Sequence, residues 1–408
     1  MSMKTERAYP AVVIHARGTK KAQGGHPWVF DNEITEMRGT PEDGALCDVL
    51  SPKGRYLGTG YYNSHSKIRV RMISQNANDT FGEAFFRRRL QYAWDYRKTV
   101  MGEAGVESCR VIFGEADGFP GLTVDKFGDI LVAQTLCLGT ELRKDLLFPA
   151  LREILEADGE TVRGIFERND VKIRELEGME QNKGWYHLPG TETPPSTVTE
   201  IVENGIRYKV DFENGQKTGF FLDQKFNRQA AARLAPGKTV LDCFTHTGSF
   251  GLNCAKAGAK RVHSVDISET AIAQARENAA LNGLTSIEYE TANVFDLLPT
   301  LTPGEYDYII LDPPAFTKSG KTVRGAERGY KEINYRAMKA LPRGGYLATC
   351  SCSHFMTDAL FRKMLQSAAS DAQVELRLVE ARAQGPDHPV LWNVPETDYL
   401  KFYLFQVV

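Results

Sequence analysis

The sequence predicts an α/β protein whose C-terminal domain is a doubly wound, mostly parallel sheet, preceded by a small α+β linking domain and an N-terminal β-rich domain. From residue 224 onward, strand-like runs alternate with helix-like runs, which is the pattern of such a sheet. Residues 10–74 instead contain short β-rich runs separated by glycine-bearing turns. Between these two parts, strand runs flank one central amphipathic helix.

The predicted domain boundaries follow the clearest seam in the chain, which runs from Pro189 to Ser196 and is rich in proline and threonine. A predicted β-hairpin with its turn at Asn204-Gly205 comes directly after this seam. We therefore expect three domains, covering residues 1–76, 77–190 and 191–408.

The elements of the first two domains follow from local periodicity. Four runs predict strands of the N-terminal domain: AVVIHA, CDVLS, YLGTGYYN and KIRVRMIS. Asp79 to Met101 predicts a helix with one apolar side, formed by Phe85, Leu90, Ala93 and Trp94, and with arginines on another. In the linking domain, two strand runs within residues 109–136 precede a helix near 141–157, and GIFERND and VKIRELEG are interpreted as further strands.

The last domain alternates regularly between strands and helices. The predicted strands are TVLDCF, RVHSVDI, SIEYETAN, YDYIILD and GYLATCS. The predicted helices lie near 223–234, 249–257, 268–282, 329–341 and 357–369.

Composition limits the function classes. The 408 residues carry 50 basic and 52 acidic side chains, a net charge of −2, which argues against a protein coated in basic residues. The first 100 residues hold 16 basic and 10 acidic side chains, against 34 and 42 in the remainder. A basic N-terminal module therefore precedes a mildly acidic part.

Neither a signal peptide nor a run of about 18 apolar residues is found, so we expect a cytoplasmic protein without a membrane partner. Seven cysteines scattered through a large chain are not a disulfide framework, and free thiols are expected. The Cys-x-Cys pair lacks a second pair at ligand spacing, so no metal site is predicted.

The ends of the parallel strands are where such sheets bind ligands. The first strand is followed by DCFTHTGSF (242–250), which allows a close backbone approach but lacks the G-x-G-x-x-G dinucleotide pattern, so a nicotinamide enzyme is disfavoured. Asp266 follows 24 residues after Asp242 and could accept both ribose hydroxyls of a nucleoside. The third and fourth strands end in NVF (293–295) and DPP (312–314). Each acid alone is equally well explained as a helix cap.

In series, these strand ends resemble the class I S-adenosylmethionine-dependent methyltransferases, which have a Rossmann-like domain. The resemblance implies S-adenosylmethionine as cofactor, with the glycine-bearing turn at its methionine part, Asp266 at its ribose and Asn293 beside its adenine. The residues of these strand ends that we expect around the cofactor are Asp242, Phe244, Thr247, Gly248, Asp266, Ile267, Asn293, Val294, Asp312 and Pro313.

The chemistry is indicated by Asp312-Pro313-Pro314 and by the run TCSCS (349–353). Methylation of a pyrimidine at C5 needs a nucleophile at C6, for which cysteine is well suited, and a carboxyl group such as Asp312 to engage N3. Strand alternation places Cys350 and Cys352 on the same side, so it does not choose between them, and both could instead be buried core residues. Methyltransferases of exocyclic amines have an aromatic residue directly after the Asp-Pro-Pro, where this chain has Ala315.

Seven motifs together resemble the bacterial large-subunit ribosomal RNA cytosine-C5 methyltransferase I family over nearly the whole chain. They are HPWVF (26–30), GEADGFPGLTVD (114–125), KTGFFLDQ (217–224), LDPPAF (311–316), SCS (351–353), DHPV (387–390) and PETDYLK (395–401). The resemblance implies an N-terminal PUA domain, the linking domain and a methyltransferase domain that forms 5-methylcytosine through a covalent bond between cysteine and C6. It selects Cys352 as the nucleophile, with Asp312 as the second catalytic residue.

The resemblance also implies that KTGFFLDQ covers the cofactor, with Thr218, Phe220 and Gln224 in contact with it. Phe220 is preferred over Phe221 for packing on the adenine. His388 and Glu396 lie in a late, proline-bearing loop and are candidates for active-site roles, although a loop histidine is more often structural.

Ribosomal RNA is the expected partner of the basic N-terminal module. Lys20, Lys21, Arg69 and Arg71 are the candidates for phosphate contacts, and the alternative is a solvated charged face. The sequence leaves a homodimer open. Two other functions stay open as well: methylation of a guanine or adenine amine in ribosomal RNA, and a non-catalytic RNA-binding assembly factor.

Overall fold

The computed structural model describes residues 8–317 and 320–408, except for the side chains of Ala104 and Lys321, so the first seven residues of the predicted PUA domain lie outside it. The chain divides into two compact units. Unit 1 is the chain up to Thr199 together with Val210–Phe220 and Pro386–Thr397, and the remaining segments form unit 2. The two units are thus interleaved along the chain, whereas each predicted domain was one continuous segment. Among the described residues, no helix is long and apolar enough to cross a membrane.

Unit 1 begins with a six-stranded sheet in the order β2-β6-β5-β4-β1-β3, in which β1 and β4 are the parallel neighbours. Its strands are β1 (Ala11–Ile14), β2 (Trp28–Phe30), β3 (Ile34–Arg38), β4 (Leu46–Leu50), β5 (Tyr56–Tyr62) and β6 (Ile68–Ser74), and helix α1 spans Ala16–Gln23. Side chains from several strands, among them Val12, Cys47 and Val70, form a shared buried core. This confirms the predicted β-rich module.

A five-stranded sheet in the order β11-β10-β9-β8-β7 follows in unit 1. Its strands are β7 (Ser108–Phe113), β8 (Leu122–Phe127), β9 (Ile130–Thr135), β10 (Gly164–Asn169) and β11 (Asn182–Tyr186), and the helices are α2 (Glu83–Met101), α3 (Leu138–Glu141) and α4 (Lys144–Ala157). The apolar side predicted for the first of these helices is confirmed, since Phe85, Leu90, Ala93 and Trp94 are all buried.

The strand predicted at VKIRELEG was wrong, because Lys172–Glu177 forms a 3-10 helix. Arg174 and Glu177 are both buried there, and residues three apart lie on the same side of a 3-10 helix but on opposite sides of a strand. Strand β11, which the sequence did not predict, completes the sheet instead. The predicted hairpin is confirmed as β12 (Val198–Glu203) and β13 (Ile206–Asp211), with positive φ at both turn residues, Asn204 and Gly205.

Unit 2 contains a seven-stranded sheet in the order β16-β15-β14-β17-β18-β20-β19. Its strands are β14 (Thr239–Cys243), β15 (Arg261–Asp266), β16 (Ile287–Thr291), β17 (Tyr308–Leu311), β18 (Tyr346–Ser351), β19 (Leu376–Arg382) and β20 (Lys401–Val407). Its helices are α5 (Lys225–Ala232), α6 (Ser249–Lys256), α7 (Glu269–Leu281), α8 (Val294–Leu297), α9 (Val323–Ala340) and α10 (Asp358–Ala372). The first five strands are parallel, which confirms the doubly wound sheet, and β20 runs antiparallel to both of its neighbours.

Both faces of this sheet are buried, as a doubly wound fold requires. Leu241 and Val240, which are neighbours on β14, belong to two different hydrophobic cores. The strand order reverses between β14 and β17, because the chain first builds outward to β16 and then returns to the other side of β14. Ligands of such sheets bind outside the carboxyl ends of the strands at this reversal. The residues after Cys243 and after Leu311 are therefore the expected ligand-binding residues.

Candidate active site

The turn after β14 is held in place by the carboxyl group of Asp242. This group is fully buried. It accepts one hydrogen bond from the Thr245 hydroxyl at 2.5 Å and another from the Gly251 amide at 2.8 Å. Burial raises the pKa of Asp242 to about 7. Both bonds are accepted by Oδ2 and hold the turn and helix α6, whereas Oδ1 is buried without a partner among the described residues, and the predicted cofactor contact of Asp242 stays a prediction.

The same turn has a strained backbone. Phe244 and His246 have positive φ values of 63° and 50°, which side-chain-bearing residues rarely adopt, and Gly248 follows with φ 86°. The Thr247 hydroxyl is buried without a hydrogen-bond partner among the described residues. Strain and an unsatisfied polar group of this kind are features of ligand-binding turns.

The ends of β15 and β16 offer one carboxylate and two exposed apolar side chains. Asp266 accepts hydrogen bonds from the amides of His246 and Ser268, both at 2.9 Å, and is only half-buried. Ile267 is 71% exposed and the Phe295 ring 37%, although both are large apolar residues. Exposed apolar groups beside a carboxylate suit a nucleoside, whose ring is apolar on its faces and whose ribose carries hydroxyl donors.

Two residues predicted at these strand ends have other roles in the structure. Val294 is buried at the start of α8, so its neighbour Phe295, which we had not selected, presents the exposed ring. The Asn293 side chain is exposed and caps α8 by accepting from the Phe295 amide at 3.1 Å. Asn293 therefore has the helix-capping role that a polar residue at a strand end often has, and its place beside the adenine stays a prediction.

Asp312 follows β17 and is surrounded by protein, although part of its surface is accessible. Its Oδ1 accepts a hydrogen bond at 2.9 Å from Nε2 of Gln224, whose own carbonyl accepts from Asn227 at 2.7 Å. Burial, followed by the negative charge of Asp223, raises the pKa of Asp312 to about 7. Gln224, predicted to contact the cofactor, thus positions this carboxyl group.

Cys352 comes directly after β18. It is the partly exposed member of the seven cysteines, and the other six, including Cys350, are buried. Burial and then the charges of Asp312 and Asp223 raise the pKa of the Cys352 thiol to about 12, and the charge of Lys401 acts in the opposite direction. Accessibility thus distinguishes two cysteines that strand alternation could not.

Three residues near Asp312 and Cys352 were not predicted from the sequence as site residues: Asp223, Tyr399 and Lys401. The Tyr399 hydroxyl donates to Oδ2 of Asp223 at 2.6 Å, and Oδ1 of Asp223 is buried without a partner among the described residues. Asp223 lies in the motif KTGFFLDQ, in which the sequence analysis predicts cofactor contacts only for Thr218, Phe220 and Gln224. The signal for the other two was the motif PETDYLK, which contains Tyr399 and Lys401.

The KTGFF segment is divided between the two units. In unit 1, the buried hydroxyl of Thr218 donates to Asp125 at 2.5 Å, and Phe220 is also buried. In unit 2, the ring of Phe221 lies 5.3 Å from the ring of His246 in the strained turn. Phe221 therefore packs against the turn after β14, and packing of Phe220 on the adenine stays a prediction.

The four residues predicted to contact RNA differ in availability. Lys20 is exposed on α1, whereas the Lys21 ammonium donates to the Trp28 carbonyl at 3.2 Å. Arg71 is committed to a buried ion pair with Glu177 at 2.9 Å and also faces Glu115 at 3.4 Å. Arg69 donates to the backbone carbonyls of Asn63 and Ser64.

The late loop of unit 1 holds His388 and Glu396 in local contacts. His388 is buried and its Nδ1 lies 3.0 Å from Oδ1 of Asp387. Glu396 lies 3.2 Å from Nε2 of His26. Both contacts agree with the structural role that is the alternative to an active-site role.

Comparison with known families gives two matches. The PUA-like domain family matches residues 12–75, and the S-adenosylmethionine-dependent methyltransferase family matches residues 188–406.

Similar proteins include three named ribosomal RNA large subunit methyltransferase I. The one from Aeromonas salmonicida is 41% identical, covering 92% of this chain and 94% of its own. The one from Shewanella denitrificans is 42% identical with the same coverage, and the one from Klebsiella pneumoniae is 37% identical, covering 99% of this chain and 100% of its own.

Two solved structures share the fold at 23% sequence identity, each covering 97% of this chain and 100% of its own. One is a putative SAM-dependent methyltransferase from Streptococcus mutans, with a TM-score of 0.79. The other is a putative methyltransferase complexed with SAH, with a TM-score of 0.81.

Proposed function

Because the chain belongs to the ribosomal RNA large subunit methyltransferase I family of S-adenosylmethionine-dependent methyltransferases, we propose that it forms 5-methylcytosine in large-subunit ribosomal RNA. The RNA class comes from the names of relatives that match nearly the whole chain. The choice of C5 of cytosine comes from the chain's own residues. The reaction takes place in the cytoplasm, which suits a chain with seven free thiols.

S-adenosylmethionine supplies an electrophilic methyl group when it is bound. Asp266 is the group that would accept the ribose hydroxyls, and Ile267 and Phe295 are the apolar side chains that would contact the adenine. The turn from Phe244 to Gly248, with its unsatisfied Thr247 hydroxyl, would hold the methionine part. These residues fit the cofactor in polarity and in exposure.

The observation that supports a C5 target is the partly exposed thiol of Cys352, which interacts electrostatically with Asp312, a carboxyl group whose pKa burial raises to about 7. C5 of cytosine is a poor nucleophile until a group adds to C6. The Cys352 thiolate forms the C6–S bond, and the displaced electron pair moves through the ring toward N3. Asp312 in its acid form donates a proton to N3, for which a pKa of about 7 is well matched.

The reaction is completed by reversing the addition. After C5 has been methylated, a base takes the C5 proton, the electron pair of the C5–H bond restores the double bond between C5 and C6, and the C6–S bond breaks. Cys352 leaves as a thiolate, and N3 returns its proton. Cysteine suits both the addition to C6 and the later elimination, because its thiolate is a good nucleophile and also a good leaving group.

RNA that contains 5-fluorocytosine tests the proposal. Fluorine at C5 cannot depart as a cation, so the C6–S bond persists, and we expect a methylated protein–RNA adduct that survives denaturation and maps to Cys352 by mass spectrometry. Cys352→Ala should form no adduct and no 5-methylcytosine. The matched control is Cys350→Ala, which should still form the covalent adduct and should still produce 5-methylcytosine.

The alternative of amine methylation is favoured by the Asp-Pro-Pro motif and disfavoured by Ala315. It would give methylated adenine or guanine and no adduct, with Cys352→Ala as active as the parent protein. An adduct that maps to Cys350 would instead transfer the nucleophile's role to that residue.

A further inference from the structure

Lys401, the first residue of β20, is a buried cation that the proposed mechanism does not use. Its side chain belongs to a residue that is 6% exposed. The ammonium donates to the carbonyl of Ser353 at 2.6 Å and to the carbonyl of Tyr399 at 2.8 Å. Within the described part of the chain no carboxylate forms an ion pair with it, and the charges of Asp398 and Asp358 act only from a distance.

A buried ammonium without an anionic partner is unfavourable, because protein carbonyls replace only part of its hydration. Burial lowers the pKa of Lys401 to about 8, in agreement with this. Groups with perturbed pKa values cluster at functional sites, so a cation of this kind next to the proposed nucleophile is a candidate for a functional role. The geometry around Lys401 indicates what this role is.

Strand pairing places Lys401 at the exit of β18. Lys401 is the register partner of Ser351, the residue before Cys352, and its ammonium binds the carbonyl of the residue after Cys352. An ammonium has three N–H donors, and two are used by the carbonyls. The third N–H is available to the sulfur of Cys352. Cys352 lies in the chain between Ser351, the register partner of Lys401, and Ser353, whose carbonyl the ammonium binds.

The groups that act electrostatically on Cys352 come from several elements. Asp312 after β17 and Asp223 before α5 both disfavour the thiolate, as does burial itself. The thiol of Cys350 and the hydroxyl of Tyr330 on α9 also interact with it. Lys401 is the positive group that opposes them.

We propose that Lys401 is a positioning residue that stabilises the thiolate of Cys352, both before it adds to C6 and when it leaves. The thiol loses its proton to solvent, which reaches the partly exposed Cys352, and the ammonium of Lys401 faces the thiolate that remains. The reaction that this thiolate serves rests on the proposed function. The interaction itself does not require RNA.

Alkylation of Cys352 by iodoacetamide in the protein without RNA tests this proposal, because only the thiolate reacts. The rate at pH 8.5 is followed by mass spectrometry of the Cys352 peptide. Lys401→Met removes the charge at similar length and should react at least tenfold more slowly than the parent protein. Lys401→Arg keeps the charge and should react faster than Lys401→Met.

Two further variants control the sign and the position of the effect. Asp312→Asn removes a negative charge and should accelerate alkylation, opposite to Lys401→Met. Lys126→Met removes another buried lysine, one that has its own partner in Glu160 at 2.7 Å in unit 1, and should leave the rate unchanged. A merely structural role of Lys401 would not produce opposite shifts for the two charges.

Folding is checked by SAH binding and by the thermal midpoint. If Lys401→Met fails to fold, Lys401→Gln, which can still donate to the carbonyls, replaces it and should be equally slow. Parent-like alkylation in a folded variant without charge at position 401 overturns the proposal. Since alkylation uses no RNA, it can succeed while 5-methylcytosine formation fails, or the reverse, so the two proposals are tested separately.

Discussion

Ion pairs hold buried charges in unit 1, and one holds Arg228 to Glu203 in unit 2, but other buried groups around the candidate active site of unit 2 are incompletely paired. Arg97 with Asp117, and Arg110 with Asp125, make two hydrogen bonds each in unit 1. In unit 2, Asp312 and Lys401 have no counter-ion among the described residues, and one oxygen of Asp223 has no partner there.

The pKa shifts show what this difference does. Burial alone would raise the pKa of Glu141 in unit 1, but hydrogen bonds from Lys144, Thr135 and Arg174 lower it overall. Around the site in unit 2, burial prevails, and the pKa of Asp312 rises while that of Lys401 falls. Paired charges are fixed in one ionisation state and serve stability, whereas unpaired ones can exchange protons near neutral pH.

The largest effect that tests this contrast is expected from Asp312→Asn. Without an acid to protonate N3, methylation should fall by about 10²–10⁴-fold, as is typical for loss of a general acid. The decrease is measured as incorporation of labelled methyl groups into large-subunit ribosomal RNA.

The same variant should gain stability. In the unfolded chain Asp312 ionises near pH 4, whereas the folded protein holds the proton up to about pH 7, so stability contributed by this site falls as the pH rises between these values. Asparagine does not titrate, so at this site the variant loses no stability as the pH rises. The thermal midpoint of Asp312→Asn should therefore exceed that of the parent protein at pH 8, with the difference shrinking toward pH 4. If the difference between the midpoints of the variant and the parent protein were the same at pH 8 and pH 4, folding would not raise the pKa of Asp312.

A smaller effect, on stability alone, is expected from Arg97→Met in unit 1. The guanidinium of Arg97 is fully buried, and its loss leaves the Asp117 carboxylate without its partner, which costs about 3–5 kcal/mol. Thermal unfolding measures this change, and the turnover number of the folded protein at low temperature should be unchanged. Arg87→Met, which removes an exposed pair with Glu153, is the matched control and should cost less than about 1 kcal/mol. Equal losses in the two variants would contradict the contrast.

The smallest effect is expected from Lys20→Ala. As an exposed phosphate contact, Lys20 should contribute about 0.7–0.9 to the slope of log affinity against log salt concentration. RNA binding measured over a range of salt concentrations tests this. Arg71→Ala should instead lower the thermal midpoint, because Arg71 is engaged with Glu177. A salt slope that responds to Arg71 and not to Lys20 would reverse the assignment.

The parallel sheet and the strand ends were predictable because both follow from local sequence. Hydrophobic runs located β14, β15, β17 and β18, and the residues after them were then known to share one edge of the sheet. Single-residue orientation was harder to predict. The choice of Val294 over Phe295 depended on which of two neighbours points into the core, and the first turn of the short helix α8 decides that.

The motif PETDYLK contains Lys401, but its place next to the end of β18 could not be found from local sequence, because it depends on the antiparallel pairing of β20 with β18. No periodicity in the sequence encodes which strand lies next to which. The 3-10 helix at Lys172–Glu177 was missed for a similar reason, since the partners of its buried charges come from distant segments, such as Arg71 for Glu177.

The interleaving of the two units has a consequence for biosynthesis. Asp387, in the late segment of unit 1, is fully buried and accepts a hydrogen bond from the Arg110 amide at 2.9 Å, and its carbonyl accepts one from Arg97 at 2.9 Å. These bonds join residues that are 277 and 290 positions apart in the chain. Domains usually fold in the order in which they leave the ribosome. Unit 1 cannot do so, because its last segment is translated only after most of unit 2, so the N-terminal unit is completed among the last steps of synthesis.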